Sequence, residues 1–272
     1  MEDQNKTTFN EIKNEAQNFF KSVYFKIGLV ILLILFLMIP KFMISDIIKE
    51  RKLLREEAVR EVSHKWGTAQ VIKPGVLTIP YTYREEVIST TDTTYKVHRQ
   101  TLKVLPTTLA INGTVIPKEK YRGIYKIPLY QSQMQIECTF DPINNSQLDL
   151  EENEMDWSNA TFALGIQDLS GINENITLNH RGSQYKMKPI DQSFRPFSSG
   201  LQTTLPLKGN QQQKLTFNLN INGSETIQFA PVGRETKVTL RSDWKDPSFL
   251  GNSLPDSKTI TNDGFVDTWK IQ

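Results

Sequence analysis

Cysteine and histidine are scarce in this chain of 272 residues, which has one Cys and three His. Cys138 has no partner for an intramolecular disulfide, so the fold must rest on its core. His64, His98 and His180 stand far apart, and none falls in an H-E-x-x-H or related ligand spacing, so the sequence offers no ready metal site. An excess of one charge is also missing. Thirty-two basic residues face 30 acidic ones, for a net charge of +2, and this balance argues against a nucleic-acid partner. No Gly-x-Ser-x-Gly elbow occurs, and no Gly-rich phosphate loop precedes a helix. From Gly67 to Gln272 no run keeps helical periodicity for as long as a crossover helix needs, which excludes a parallel α/β fold.

What the chain does have is one long apolar run. Val23 to Ile44 reads VYFKIGLVILLILFLMIPKFMI, with charge only at Lys26 and Lys41. As a helix it reaches about 33 Å, enough to cross a hydrocarbon core of about 30 Å, and its lysines lie where they can snorkel to the headgroups. A cleaved signal peptide would end in a small-x-small site, whereas here Pro40-Lys41-Phe42-Met43-Ile44 runs straight into a charged helix. The expectation is an uncleaved anchor. Lysines precede it and lysines and arginines follow it, so the positive-inside rule is ambiguous; domain length favours a short cytoplasmic tail over 1–22 and a translocated domain.

Residues 45–66 carry apolar side chains at Ile47, Ile48, Leu54, Ala58 and Val62, mostly three or four apart. This predicts a juxtamembrane helix, read as a solvated connector because its apolar stripe is narrow and its charges are mixed. From Gly67 onward, short runs of Val, Ile, Thr, Tyr and Phe alternate with Pro, Gly, Asn and Asp. About a dozen strands follow, from Gln70–Tyr83, interrupted at Pro74-Gly75, to Gly264–Ile271. Asn112-Gly113 and Asn222-Gly223 carry the residues that hairpin turns prefer and predict two of them. The expected architecture is mainly β: a large antiparallel β-sandwich over 67–272, extracytoplasmic, after a transmembrane helix over 23–44.

The carboxylates Glu151, Glu152, Glu154 and Asp156 lack the alternating ligands and turn glycine of a calcium loop and read as a solvated acidic loop. Cys138, in the strand-like QIECTF, reads as a core residue, and His98, beside Arg99, as a solvent-facing strand residue. Six Asn-x-Ser/Thr sequons, at Asn5, Asn112, Asn144, Asn159, Asn175 and Asn222, are what chance supplies in a chain rich in Asn and Thr. Trp66, Trp157, Trp244 and Trp269 raise the alternative of a glycan-binding face, set against ordinary core packing. In the polar segment from Asp243 to Gly251, Phe249-Leu250 is an apolar pair that either plugs the core or faces a bilayer or partner.

The last forty residues hold a more specific pattern: Gly233-Arg234, then Trp244 with Pro247-Ser248-Phe249-Leu250-Gly251, then Leu254-Pro255, then Gly264-Phe265 with Trp269. In these elements the chain resembles the CreD family of bacterial inner-membrane proteins. Ile48 to Arg51, Gly123-Ile124-Tyr125 and Asp168 to Ile172 support the resemblance. It implies a non-enzymatic protein of cell envelope integrity in Gram-negative bacteria, with its N-terminus cytoplasmic and its β domain periplasmic. No catalytic residue, cofactor or metal comes with it. The implied partners are the lipid bilayer and other envelope proteins or the cell wall, with a glycan or envelope-precursor binding module as the alternative. Family members continue into further hydrophobic helices after the strand that holds Trp269, so the resemblance makes Val23–Ile44 the first of several spans.

Overall fold

The structure, a computed structural model, describes residues 23–88, 93–143, 154–191 and 197–272. The expected tail over 1–22, Glu151 and Glu152 of the acidic loop, and the sequons at Asn5 and Asn144 lie outside those residues. Helix α1 (Val23–Trp66) is continuous through Pro40. Its apolar side chains from Leu29 to Leu37 are exposed, whereas a core helix would bury them. Its most apolar window has a mean hydropathy of 2.7, and the helix is long enough to cross a membrane.

The chain divides into two compact units, the first ending at Glu57 and the second running from Ala58 to Gln272. Within the second, the last turns of α1 pack on the sheet that follows. Ala58 joins Ile127 and Leu129 in a small core flanked by Val59, Val62, Trp66 and Tyr125. The Trp66 indole N–H donates to Tyr130 O at 3.2 Å, and Arg122 pairs with Glu61 through two bonds of 2.9 and 3.0 Å. The solvated connector is therefore only half of the 45–66 segment: Ile47, Ile48 and Leu54 are exposed, while Ala58 and Val62 are docked.

Two sheets make up the rest. The first contains β1 (Gln70–Ile88), β2 (Thr93–Val104), β5 (Thr161–Ile166), β8 (Lys188–Pro189), β9 (Gly200–Thr204) and β11 (Ile227–Phe229). Its order is β11-β1-β5-β9-β8, with β2 also on β1. The second contains β3 (Thr108–Arg122), β4 (Tyr125–Phe140), β6 (Thr177–His180), β7 (Ser183–Lys186), β10 (Gln213–Ser224), β12 (Glu235–Ser242), β13 (Ser257–Thr261) and β14 (Gly264–Ile271). Its order is β13-β14-β12-β3-β4-β10-β6-β7. Among the described residues pairing is antiparallel except for two parallel contacts, β1 with β11 and β12 with β3.

Alternation sets which face is buried: in β10 every second residue from Gln213 to Gly223 is buried, and in β12 so are Thr236, Val238, Leu240 and Ser242. The apolar faces of the two sheets share one core, with Phe162 of the first set edge-on to Phe140 and Phe217 of the second. This is the expected β-sandwich. Pro74-Gly75 marks a register shift in β1, and Gly75, at φ 83°, leaves room for Cys138 from the facing sheet, whose Sγ would lie 2.8 Å from an added Cβ.

Neither Asn-Gly pair is a turn. Asn112-Gly113 lies inside β3, opposite Gln135 and Met134, and Asn222-Gly223 lies inside β10, opposite Gln131 and Tyr130. The β3–β4 hairpin turns ten residues later, at Gly123-Ile124, where Gly123 supplies the positive φ of 57°. The two strand glycines serve close approach instead. An added Cβ would meet Met134 Cγ at 2.7 Å from Gly113 and Tyr130 Oη at 2.2 Å from Gly223.

Candidate functional site

β10 leaves the second sheet at Glu225, whose φ of 59° is rare for a residue with a side chain. The chain crosses to the first sheet as β11, which ends that sheet on this side. The second sheet continues here through β12, β14 and β13. The inner face of β12 and β14 borders a cleft of about 720 Å³, walled on one side by residues 225–229 and covered by the 244–253 loop. Register places Val238 beside Trp269 and Ser242 beside Phe265, so four of the lining side chains come from two adjacent strands.

The loop is fastened by Phe249. Its ring meets Phe265 at 5.6 Å and Trp269 at 5.4 Å, both edge-on, and the Lys258 ammonium sits over it at 5.3 Å. The neighbouring Leu250 is 84 % exposed. The apolar pair is thus divided between an anchor and an exposed side chain at the mouth. Trp244 closes its own turn, its indole N–H donating to Asp246 O at 2.8 Å, and its backbone N–H donates to Ser242 Oγ.

Among the described residues the lining is mostly apolar, with Glu225 and Asp246 as its charged members. Tyr130 lines the wall and donates from its hydroxyl to Thr226 O at 2.8 Å. Burial pushes this phenol above its ordinary range, which keeps it a donor. Asp267 stands between Phe265 and Trp269 in β14, fully buried; its Oδ1 accepts from Thr259 N at 2.9 Å, and its Oδ2 has no hydrogen-bond partner among the described residues.

Of the residues singled out from sequence, Trp244, Pro247, Ser248, Phe249, Leu250, Gly251, Phe265 and Trp269 all line this cleft. Gly233, Arg234, Pro255 and Gly264 do not. Gly233 O accepts from Thr236 Oγ1 at the start of β12, Arg234 faces Asp141 at 3.6 Å, and Pro255 precedes β13. Gly264, at φ 130°, lets the β14 backbone approach Ser242 O, which would lie 2.0 Å from an added Cβ. Glu225, Tyr130 and Phe229 also line the cleft and were not legible as site residues, because only the topology brings their segments to it.

Outside the cleft the reactive side chains are separated. His98 Nε2 meets Glu85 at 2.7 Å on the surface, and His180 Nε2 meets Gln213 at 2.8 Å in the interior. Cys138 is fully buried, and burial, with the Glu137 charge beside it, pushes its thiol up to about 12. Among the described residues no three His, Cys, Asp or Glu side chains gather as a metal cluster. The tryptophans do not form one platform: Trp66 docks α1, Trp157 packs on the sandwich core, and only Trp244 and Trp269 reach the cleft.

Helix, sandwich and cleft define a β-sandwich protein that carries an N-terminal helix long and apolar enough to cross a bilayer. The chain belongs to the family of the inner membrane protein CreD, whose family model matches residues 22–272. It is 27 % identical over 247 residues to the inner membrane protein CreD of Escherichia coli (strain K12), an alignment covering 87 % of this chain and 52 % of that protein. The chain thus spans about half the length of the curated relative it matches.

Proposed function

We propose that this chain is a non-enzymatic inner-membrane protein of the cell envelope, anchored by α1, whose periplasmic β-sandwich supports envelope integrity by holding an envelope partner in the cleft. The observation that carries this reading is the convergence of eight residues of the family-like pattern on one mostly apolar cleft. An apolar concavity with a few polar groups is suited to binding. In the native host, chromosomal Leu250→Asp should leave the melting temperature of the detergent-solubilised chain within about 1 °C, because exposed positions contribute little to stability. The strain should nevertheless become as sensitive to detergent and bile-salt stress as a deletion strain. Wild-type resistance would count against the cleft as the working surface.

The glycan or envelope-precursor reading draws on Trp244 and Trp269 in the cleft wall. Phe249 already meets the Trp269 ring, which weakens that ring as a sugar platform. Titration calorimetry of the chain with peptidoglycan fragments separates the two readings, heat of binding favouring the glycan.

A further inference from the structure

We propose that the cleft is a strand-acceptor site: it takes an extended polypeptide segment, apolar at alternate positions and basic at its ends, which pairs with the free edge of β11. This deepens the partner-binding reading and rests on it. The register of β11 on β1 is parallel, with Gln70 opposite Ile227 and Ile72 opposite Phe229. Gln70 N donates to Thr226 O at 3.1 Å, and Ala230 N donates to Ile72 O at 2.9 Å. Thr226, Gln228 and Ala230 therefore turn their backbone polar groups toward β1, and by alternation Ile227 and Phe229 turn theirs to the opposite edge. That edge ends the sheet and borders the cleft. Two N–H and two C=O groups, spaced by two residues, are presented there, and among the described residues no strand meets them.

Beneath that edge lies the apolar inner face of β12 and β14, with Val238, Leu240, Phe265 and Trp269. A polypeptide strand answers both features at once, its backbone to β11 and its alternate side chains to the floor. An acyl chain would answer only the second and leave the edge groups unsatisfied. The charges point the same way. Among the described residues the charged side chains of the lining are Glu225 and Asp246, and the Lys258 ammonium is already engaged against the Phe249 ring, so the lining's own charge is negative and complements basic groups on the strand.

The test uses the full chain in phosphatidylcholine nanodiscs and a pool of synthetic nonapeptides with Val, Ile, Leu or Phe at alternate positions and Lys at both ends. Amide hydrogen exchange should slow at least tenfold at Ile227 and Phe229 and stay unchanged at Gln228. The same pool N-methylated at alternate residues should give no protection. Ile227→Pro removes an N–H outside the β1 ladder, a substitution that edge strands tolerate. It should keep the circular dichroism of the parent and bind the pool about tenfold more weakly, as loss of one backbone bond implies. The proposal is overturned if the pool leaves exchange at both amides unaltered, or if the N-methylated pool binds as tightly. It is equally overturned if phosphatidylglycerol in the disc quenches the tryptophans while the peptides do nothing. Should Leu250→Asp abolish envelope resistance while no peptide protects these amides, the strand inference alone fails. Protection with a silent Leu250→Asp would instead sink the functional reading and leave the strand site standing.

Discussion

Asp168 shows how a single side chain links distant parts of the chain. It caps the short 3-10 turn Leu169–Gly171, accepting from Ser170 N at 2.9 Å and Ser170 Oγ at 2.7 Å. Its other oxygen accepts from Thr68 N and Thr68 Oγ1 at 2.9 and 2.8 Å, just before β1 begins. Burial opposes its ionisation, but the hydrogen bonds from Ser170 and Thr68 outweigh it and hold the carboxyl down at about 2, against an ordinary 3.8. Because the folded value lies below the unfolded one, this contribution is complete above about pH 4 and is lost as the pH falls toward 2. Asp168→Asn should therefore lower the melting temperature at pH 7, with the gap to wild type closing between pH 4 and pH 2. An equal gap at both ends of that range would mean the charge is immaterial. The cap with Ser170 is local, and its Asp-x-Ser spacing stands in the sequence. The bond to Thr68 crosses a hundred positions, so no local pattern reveals it.

At the scale of elements, runs of β-branched and aromatic residues between turn formers marked most strands, because such side chains pack on a pleated, half-buried surface. The Asn-Gly pairs misled because the same dipeptide serves two physical ends. A type I′ turn needs residues that accept positive φ, while a crowded strand needs one without a Cβ, and only the facing strand distinguishes them. At Gly223 the facing group is Tyr130, whose hydroxyl also holds Thr226 O. Gly223→Ala should accordingly destabilise the chain by about 1–3 kcal/mol, the usual range for overpacking, read as a lower melting temperature in detergent micelles. A neutral result would show that Tyr130 swings aside freely. The docked end of α1 was partly legible, since Ala58 and Val62 lie on one helical stripe. That the stripe meets a surface only beyond Glu57 depends on Ile127 and Leu129 of β4, far along the chain.

For the whole molecule, the mainly β architecture was readable from strand texture, and a helix long and apolar enough to cross a membrane from length and apolarity. The cleft was not. Its loop and the β14 residues were singled out by resemblance, but the wall from Tyr130, Glu225 and Phe229 forms because β10 pairs with β4 and the chain then crosses to the first sheet as β11. The same topology leaves the inner face of β12 and β14 bordering the cleft, and so explains why conspicuous aromatic residues gather there. Cys138 makes the central claim directly testable, because its buried thiol, raised to about 12, should not compete with an introduced one. The decisive measurement is labelling of Leu250→Cys in living cells of the native host, outer membrane permeabilised, with a bulky maleimide that cannot cross the inner membrane. The cysteine at the cleft mouth should be labelled while the inner membrane is intact, and labelled cells should lose envelope resistance to the level of a deletion strain. Labelling only after inner-membrane lysis, or full resistance with the cleft mouth blocked, would contradict the central claim.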